Sequence, residues 1–258
     1  MRPSFAVTWT IARRDFVSFF SSPKGMAIFF FFLIFMGFFF HSFLESFINM
    51  QQRAPAMGGH APQLEQLFRA LFNNTHFILL LIIPAVTMAS FAEENKSHSI
   101  RLLLTAPIRP ISIVLGKYLA ALMVMSLVLL SSMVIVLFTA KYGNPDIGVL
   151  LSGYLGLLFL ISTQLAIGIW ISSMTKNQFL AFMFTMLVLF LLLILNWIAQ
   201  TLSGGGMMED LLMYLAFWGH LENMVKGLIT VKDVAYFVCL TSVFLFFTNV
   251  VLDSRRWR

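Results

Sequence analysis

Residues 179–199 read FLAFMFTMLVLFLLLILNWIA and contain no Asp, Glu, Lys or Arg. A helix needs about 20 mainly apolar residues to cross a lipid bilayer, so this stretch is predicted to be a membrane span. Five other stretches of the chain combine a similar length with a similar lack of charge. With polar ends trimmed, the six spans are expected near 26–48, 76–92, 113–138, 148–172, 179–199 and 234–252.

The composition of the whole chain agrees with a membrane protein. Of the 258 residues, 59% are hydrophobic and only 11% are charged, whereas a soluble domain carries about 25% charged residues. Cys239 is the only cysteine, which excludes an intrachain disulfide and a cysteine-rich metal or redox site. The predicted fold class is therefore an all-α polytopic membrane protein, with residues 1–258 forming one transmembrane domain.

The distribution of basic residues predicts the orientation of the spans. If the N-terminus is cytoplasmic, the cytoplasmic segments hold 12 of the 17 Lys and Arg residues and the outer segments hold 5. Cytoplasmic loops of membrane proteins carry such an excess, so both termini are expected in the cytoplasm. Anionic lipid at the inner leaflet accounts for the net charge of +6, and no nucleic-acid partner is needed.

Residues 4–20 precede the first span and predict an amphipathic elbow helix, which Ser21-Ser22-Pro23 should end. Its aromatic residues share one face at 100° per residue, although Val7 and Ile11 interrupt the polar face. A basic helix of this kind is expected to lie in the cytoplasmic interface of the bilayer. It would serve either as a plain anchor or as an anchor that also contacts a cytoplasmic partner. The interface residues are expected to be Phe5, Trp9, Arg13, Arg14 and Phe16.

The loop at 93–110, EENKSHSIRLLLTAPIRP, lies between the second and third spans. It begins with acidic residues, which suit a helix N-terminus, and its prolines are natural stops beyond a helix end. Ile100, Leu103 and Leu104 fall on one face of the predicted short helix. Such a helix could fit a groove on another protein and transmit displacement to the spans, or lie flat on the membrane. The pattern by itself leaves both interpretations open.

The fifth span carries a polar stripe that two leucines interrupt. Two interpretations are open: hydrogen bonding between helices, worth about 0.6–2 kcal/mol per contact, or a translocation seam at a subunit interface in which the leucines form a closed constriction. A shorter apolar run, 211–221, cannot span a bilayer and predicts an interfacial or re-entrant helix. The stripe comprises Gln178, Thr185, Leu189, Leu192, Asn196 and Gln200.

Several kinds of chemistry lack their sequence signatures. No G-x-x-x-x-G-K-[ST] run for a phosphate-binding loop is present, nor H-E-x-x-H or G-x-S-x-G. The five histidines are scattered over several segments, which disfavours a metal site. No Asp or Glu lies centrally in a span, which disfavours intramembrane proteolysis and an ion-coupled carrier. We therefore expect no catalytic residues, no metal site and no cofactor in this chain.

Several motifs resemble those of ABC-2-type transporter permeases. The stretches that carry this resemblance are Ala92-Glu93-Glu94, 102–108 (LLLTAPI), 114–120 (VLGKYLA), 11–16 (IARRDF) and 20–23 (FSSP). Three later runs are similar to the gliding-motility-associated permease subfamily, in particular its F subunit. These runs are 171–178 (ISSMTKNQ), 220–223 (HLEN) with 227–229 (GLI), and 233–237 (DVAYF), before the ending Arg255-Arg256-Trp257.

The resemblance implies a six-span permease half that pairs with a second half, identical or not, on two copies of a separate ABC ATPase. That ATPase would bind the ATP and magnesium, and each loop helix would dock into one ATPase subunit. It also implies short helices that return into the outer leaflet before the last span, and it makes a membrane protein with a periplasmic domain a candidate partner. The residues expected to couple to the ATPase are Glu93, Glu94, Ser99, Ile100, Leu102, Leu103, Leu104 and Pro107.

The function expected from these features is that of the transmembrane subunit of an ATP-driven exporter in a bacterial inner membrane. The alternative is a mechanotransmitting membrane anchor, which relays ATPase motion to a periplasmic or envelope machine while no cargo crosses the membrane.

Overall fold

The computed structural model describes residues 5–53, 63–97, 108–141, 145–201 and 206–256, apart from the side chains of Ala140, Gln200, residues 207–210 and Arg256. These residues form ten helices and no strand. The helices are α1 (Phe5–Ser21), α2 (Pro23–Arg53), α3 (Leu64–Thr87), α4 (Ala89–Lys96), α5 (Pro110–Ala140), α6 (Ile147–Met174), α7 (Gln178–Thr201), α8 (Met207–Leu215), α9 (Phe217–Val225) and α10 (Val231–Arg256).

The six predicted spans are confirmed as helices that are long and apolar enough to cross a membrane. The largest difference concerns the second span, which starts at Leu64, twelve residues before the predicted start at 76. A criterion of charge-free stretches misses 64–69 because Glu65 and Arg69 interrupt this part, and the trimming of polar ends removes 70–75. Those two side chains lie 3.9 Å apart on one helix face, while Leu71 and Phe72 are buried on another.

Two short helices, α8 and α9, lie where a single interfacial or re-entrant helix is predicted at 211–221. They are separated at Ala216, whose backbone is extended, with φ −73° and ψ 132°. The helix is therefore broken at Ala216, and the stretch forms two short helices rather than one continuous helix.

The centre of the bundle is the parallel packing of α3 and α4 against α6. Ser172 on α6 contacts Phe91 on α4 across 81 sequence positions, and Gly168 meets Thr87 at the same separation. A Cβ atom at Gly168 would lie 2.3 Å from the hydroxyl oxygen of Thr87, so only glycine lets the two helices approach this closely. Small residues allow such close helix contact within membranes.

Polar side chains also join α6 to the last span. Thr163 lies 3.0 Å from the hydroxyl of Thr241 and donates to the carbonyl of Phe237 at 3.2 Å. Tyr118 on α5 adds a hydrogen bond to Ser162, 2.5 Å away. These contacts hold α5, α6 and α10 as one packed group.

The first and fifth spans lie at the periphery of the bundle. In the most apolar window of each span, 67% of residues are buried in α3–α4 and 72% in α6, against 11% in α2 and 17% in α7. The outward faces of α2 and α7 carry large apolar residues, among them Phe30, Phe38, Phe184, Phe190 and Trp197. In a membrane these faces are available to lipid or to a second subunit.

Candidate functional site: a polar junction beside the 98–107 segment

An ion cluster centred on the buried Lys117 joins α1, α4 and α5 at one end of the bundle. The Lys117 side chain is 5% exposed, and its Nζ lies 2.7 Å from Oε1 of Glu94 and 3.3 Å from Oδ2 of Asp15. Arg14 completes the cluster, since its Nη2 lies 2.9 Å from Asp15 and 3.8 Å from Glu94. Two cations thus meet two carboxylates, and each charge is compensated.

Helix packing brings these charges together. Thr8, Ile11 and Ala12 on α1 are buried, and the α1 helix crosses α5 at Gly116, where an added Cβ would lie 2.9 Å from Cβ of Ile11. The close crossing places Asp15 beside Lys117, one position beyond the glycine. Lys117 also lies over the ring of Phe91, 5.1 Å from its centroid, in a cation–π geometry.

The start of α4 is capped by a residue from another helix. The N-cap position of α4, Met88, offers no side-chain hydrogen bond. Instead, the hydroxyl of Ser172 on α6 accepts from the backbone N–H groups of Phe91 and Ala92, at 3.1 and 3.2 Å. It also donates to the carbonyl of Met88 at 3.1 Å. The first N–H groups of a helix have no acceptor within the helix. Ser172 supplies the acceptor for two of these groups in α4.

The end of α4 is held by Asn95. Its Nδ2 donates to the carbonyls of Ser173 and Thr175, at 3.3 and 2.8 Å, and its Oδ1 accepts from Arg255 on α10 at 2.5 Å. We define the polar junction by the residues that hold α4 in place. They are Arg14, Asp15, Glu94, Asn95, Lys117, Ser172 and Arg255.

The polar junction fastens α4 to four other helices immediately before the 98–107 segment. Glu94 lies inside the junction, whereas Glu93 is exposed. The other residues predicted to couple to an ATPase lie outside the described residues, namely Ser99, Ile100, Leu102, Leu103, Leu104 and Pro107. Any displacement of the segment would reach the bundle through α4 on one side and α5 on the other.

The comparison with protein families decides what kind of protein carries this junction. The family model described as ABC-2 family transporter protein matches residues 9–255. The chain belongs to the ABC-2 transporter family. It is therefore the membrane component of a transporter, and the family implies an ABC ATPase as partner. None of the curated proteins matches the chain at a significant level, and the gliding-motility subfamily stays a prediction.

The polar stripe of this ABC-2 permease lies on the inward face of α7. Thr185 and Leu189 are buried within the subunit, and the Thr185 hydroxyl donates to the carbonyl of Ala181 on its own helix at 2.7 Å. Gln178, Leu192 and Asn196 are half-buried, and the side chain of Gln200 lies outside the described residues. Part of the stripe thus contributes to packing within the subunit, and its role as a seam stays a prediction.

The two halves of helix α1, the predicted elbow helix, differ in their surroundings. Phe5 and Trp9 are exposed, at 79% and 50%, and Arg13 is exposed as well. Phe16 is half-buried, and Arg14, although 56% exposed, pairs with Asp15 in the ion cluster. The second half of the helix thus takes part in the junction, and the interface role of its exposed aromatic start stays a prediction.

A second buried polar cluster, at the opposite end of the permease, is not predicted as a site from the sequence. His220 Nδ1 lies 2.6 Å from Asp233, and its Nε2 lies 3.1 Å from the carbonyl of Tyr214. Thr230 and Asn223 also donate to Asp233, at 2.7 and 3.3 Å. We call these residues the hairpin cluster because they fasten α8 and α9 to α10. His220 and Asn223 belong to the HLEN run and Asp233 to the DVAYF run. The sequence analysis connects these runs only with the resemblance to a subfamily.

The described residues offer no group of three or more His, Cys, Asp or Glu side chains that could hold a metal ion. His220 and Asp233 form a pair that is satisfied by protein partners. The contacts within both clusters are hydrogen bonds and ion pairs between helices.

Proposed function

We propose that this chain is the transmembrane subunit of an ATP-driven exporter in a bacterial inner membrane, with two permease halves on two copies of an ABC ATPase. Residues 93–110 form the cytoplasmic loop that the ATPase engages. ATP binding closes the ATPase dimer, the segment near 97–105 moves with it, and the first, second and fifth spans rearrange where two halves meet.

The observation that supports this proposal is the attachment of α4. Helix α4 enters the loop and is bound through Glu94 to Lys117 on α5, through Ser172 to α6, and through Asn95 to Arg255 on α10. A displacement of the loop is therefore shared among several spans instead of being absorbed by one flexible connection. Coupling by a relay of this kind requires elements that move together.

The coupling role is tested by Leu103→Asp in the full chain, reconstituted with its partner ATPase. A carboxylate on the predicted apolar face should prevent docking, because a charge placed in an apolar contact must be desolvated without a partner. We expect ATP hydrolysis stimulated by the permease to be lost, while membrane insertion and yield stay at wild-type levels. Leu103→Met, which keeps the apolar surface, should retain stimulation. Normal stimulation in Leu103→Asp would contradict the coupling role.

A second experiment separates the exporter from the mechanotransmitting anchor. Leu189 is buried, so a water-filled seam at the polar stripe requires α7 to move away from its neighbours during the cycle. In a Cys239→Ser background, Leu189→Cys should react with a charged thiol reagent only while ATP is being hydrolysed. Thr201→Cys, exposed at the end of the same helix, controls for reagent access. Protection of position 189 throughout the cycle would favour the anchor.

A further inference from the structure

The hairpin cluster contains a histidine whose two ring nitrogens both face hydrogen-bond acceptors. Nδ1 of His220 lies 2.6 Å from Oδ1 of Asp233, and its Nε2 lies 3.1 Å from the carbonyl oxygen of Tyr214. A carbonyl oxygen and an ionised carboxylate can only accept. A neutral imidazole has one donor nitrogen and one acceptor nitrogen, whereas an imidazolium ion donates from both. Beside an ionised Asp233, both contacts are therefore satisfied only when His220 carries two ring protons.

The other partners of Asp233 favour its ionised form. Its Oδ2 accepts from the hydroxyl of Thr230 at 2.7 Å and from the side-chain amide of Asn223 at 3.3 Å. Donors around a carboxyl group stabilise the carboxylate. Asp233 is 1% exposed and His220 is 5% exposed, so water solvates neither charge and each requires the other as its partner. The shared proton is thus assigned to the histidine.

The aromatic rings around His220 also favour a positive charge. The ring of Tyr236 stacks on it with centroids 4.0 Å apart and an interplanar angle of 15°, and the ring of Tyr214 lies 5.4 Å away. A cation within about 6 Å of an aromatic ring is attracted by it. The hydroxyl of Tyr236 donates to the carbonyl of Leu215 at 2.7 Å, which fixes the stacked ring in place.

The neighbouring charged groups on α9 and α10 have partners of their own. Lys226 pairs with Glu222 at 2.6 Å, and both side chains are more than 40% exposed. Lys232 lies over the ring of Tyr214, 5.3 Å from its centroid. None of these three groups is paired with His220, and the Glu222 pair is largely solvated.

The helices packed against α9 bring no further charge to His220. Helices α6 and α7 contain no Asp, Glu, Lys, Arg or His, and the hydroxyl of Tyr154 on α6 contacts α5. His76 of α3 stacks on Trp218 instead, with centroids 6.1 Å apart. Among the described side chains, Asp233 is therefore the one carboxylate that contacts His220.

We propose that His220 and Asp233 form a proton-dependent clamp that holds α8 and α9 on α10. With both ring protons present, His220 on α9 joins Asp233 on α10 to the carbonyl of Tyr214 on α8. When one proton leaves to solvent, one ring nitrogen becomes an acceptor that faces an acceptor, and its contact is lost.

The direction of the pH dependence follows from this proton count. The folded clamp binds a proton that a free histidine releases as the pH rises through about 6.5. The stability that the clamp contributes is therefore fully present in acid and is lost as the pH rises. The cluster lies at the end of the bundle that is predicted to face outward, so the clamp would respond to the pH of the outer compartment.

The test uses the full chain in nanodiscs without any ATPase, so its result does not depend on the proposed function. Amide exchange is measured at about pH 5.5 and about pH 8.5, on either side of the range in which histidine changes charge. Each rate is divided by the intrinsic exchange rate at the same pH. We expect protection of 217–225 to fall by about tenfold toward alkaline pH, because a charge-assisted hydrogen bond is lost. Protection of α5, which lies outside the cluster, should stay constant.

Two variants remove the proposed proton dependence. His220→Gln keeps a side-chain donor that cannot titrate, so protection of α9 should no longer change with pH. Asp233→Asn provides an amide that can donate to a neutral imidazole, and it should lose the dependence as well, even if His220→Gln does not fold. His41→Gln is the matched control, because His41 is 71% exposed and lies 3.6 Å from Glu45. It should retain the wild-type dependence.

Side-chain ¹⁵N NMR of histidine-labelled protein reports the protonation state directly, and the His220 signals are assigned by their loss in His220→Gln. Both ring nitrogens of His220 should carry protons at about pH 5.5. A neutral His220 at that pH would overturn the proposal. Equal protection of α9 at the two pH values, or a dependence that persists in the folded variants, would overturn it too.

Discussion

The two ends of the bundle are both fastened by buried polar groups, but their contacts span very different lengths of chain. At the polar junction, Lys117 pairs with Asp15 and Glu94, which lie 102 and 23 positions away in sequence. In the hairpin cluster, His220 and Asp233 are 13 positions apart, and the remaining partners lie between or beside them. One end thus links distant helices, and the other closes a local hairpin.

This difference indicates different mechanical roles under the proposed function. Long-range contacts at the junction make α1, α4, α5, α6 and α10 respond together when the adjacent loop is displaced. Local contacts in the hairpin cluster keep α8 and α9 on α10 but add no link to the loop. We therefore expect damage at the junction to affect both stability and coupling, and damage at the hairpin to affect stability alone.

The largest effect is expected from Lys117→Met, which keeps the apolar stem and removes the charge. Removing one partner of a buried ion pair typically costs about 3–5 kcal/mol. The lower end of this range is expected here, because Asp15 and Glu94 are partly exposed and keep Arg14 as a partner. We expect a lower melting temperature of the purified chain and loss of ATPase stimulation after reconstitution.

Lys176→Met is the matched control, because Lys176 is exposed near the end of α6. Its removal should change neither the melting temperature nor the stimulation. Wild-type stimulation in Lys117→Met would show that the ion cluster is not part of the coupling path, even if stability falls.

A smaller effect, confined to stability, is expected from Asp233→Asn. The amide keeps the shape of the carboxylate but loses the charge that His220 and Thr230 contact at 2.6 and 2.7 Å. Hydrogen bonds to charged groups contribute about 1.5–3 kcal/mol, so a loss of stability in that range should appear as a lower melting temperature. ATPase stimulation, measured at a temperature where the variant is folded, should stay at the wild-type level.

The control at this end is Glu222→Gln, which breaks an exposed pair with Lys226 and should cost less than about 1 kcal/mol. If Asp233→Asn abolishes stimulation while the protein stays folded, the hairpin cluster also takes part in coupling. The distinction between the two ends would then be wrong.

The spans could be predicted from the sequence because a charge-free apolar run of about 20 residues is typical of helices that cross a bilayer. The start of α3 could not, because Glu65 and Arg69 pair along the helix, and this pairing lowers the penalty that each charge would carry alone. The polar junction was equally hidden. In the sequence, Lys117 counts toward the orientation of the spans and belongs to the VLGKYLA run of the family resemblance. Nothing in one sequence shows that this lysine pairs with an aspartate 102 positions away.

Ser172 shows the same limit on a smaller scale. It occurs in the ISSMTKNQ run, which is similar to the gliding-motility-associated permease subfamily. Its structural role depends on the parallel packing of α6 against α4, and this packing follows from glycines such as Gly168 whose contacts appear only in three dimensions. The residue types were visible in the sequence, but the interhelical register was not.

The smallest loss of stability is expected from Ser172→Ala, at the polar junction. This change removes the acceptor for the N–H groups of Phe91 and Ala92, and loss of a helix cap costs about 1 kcal/mol. Ser242→Ala, which removes an exposed hydroxyl bonded within its own helix, is the control. If α4 transmits displacement as a rigid element, Ser172→Ala should lower stimulation partially, with faster amide exchange at α4 and unchanged exchange at α9. If ATPase stimulation stays at the wild-type level while the amide protons of α4 exchange faster, Lys117 and Asn95 suffice to hold the helix.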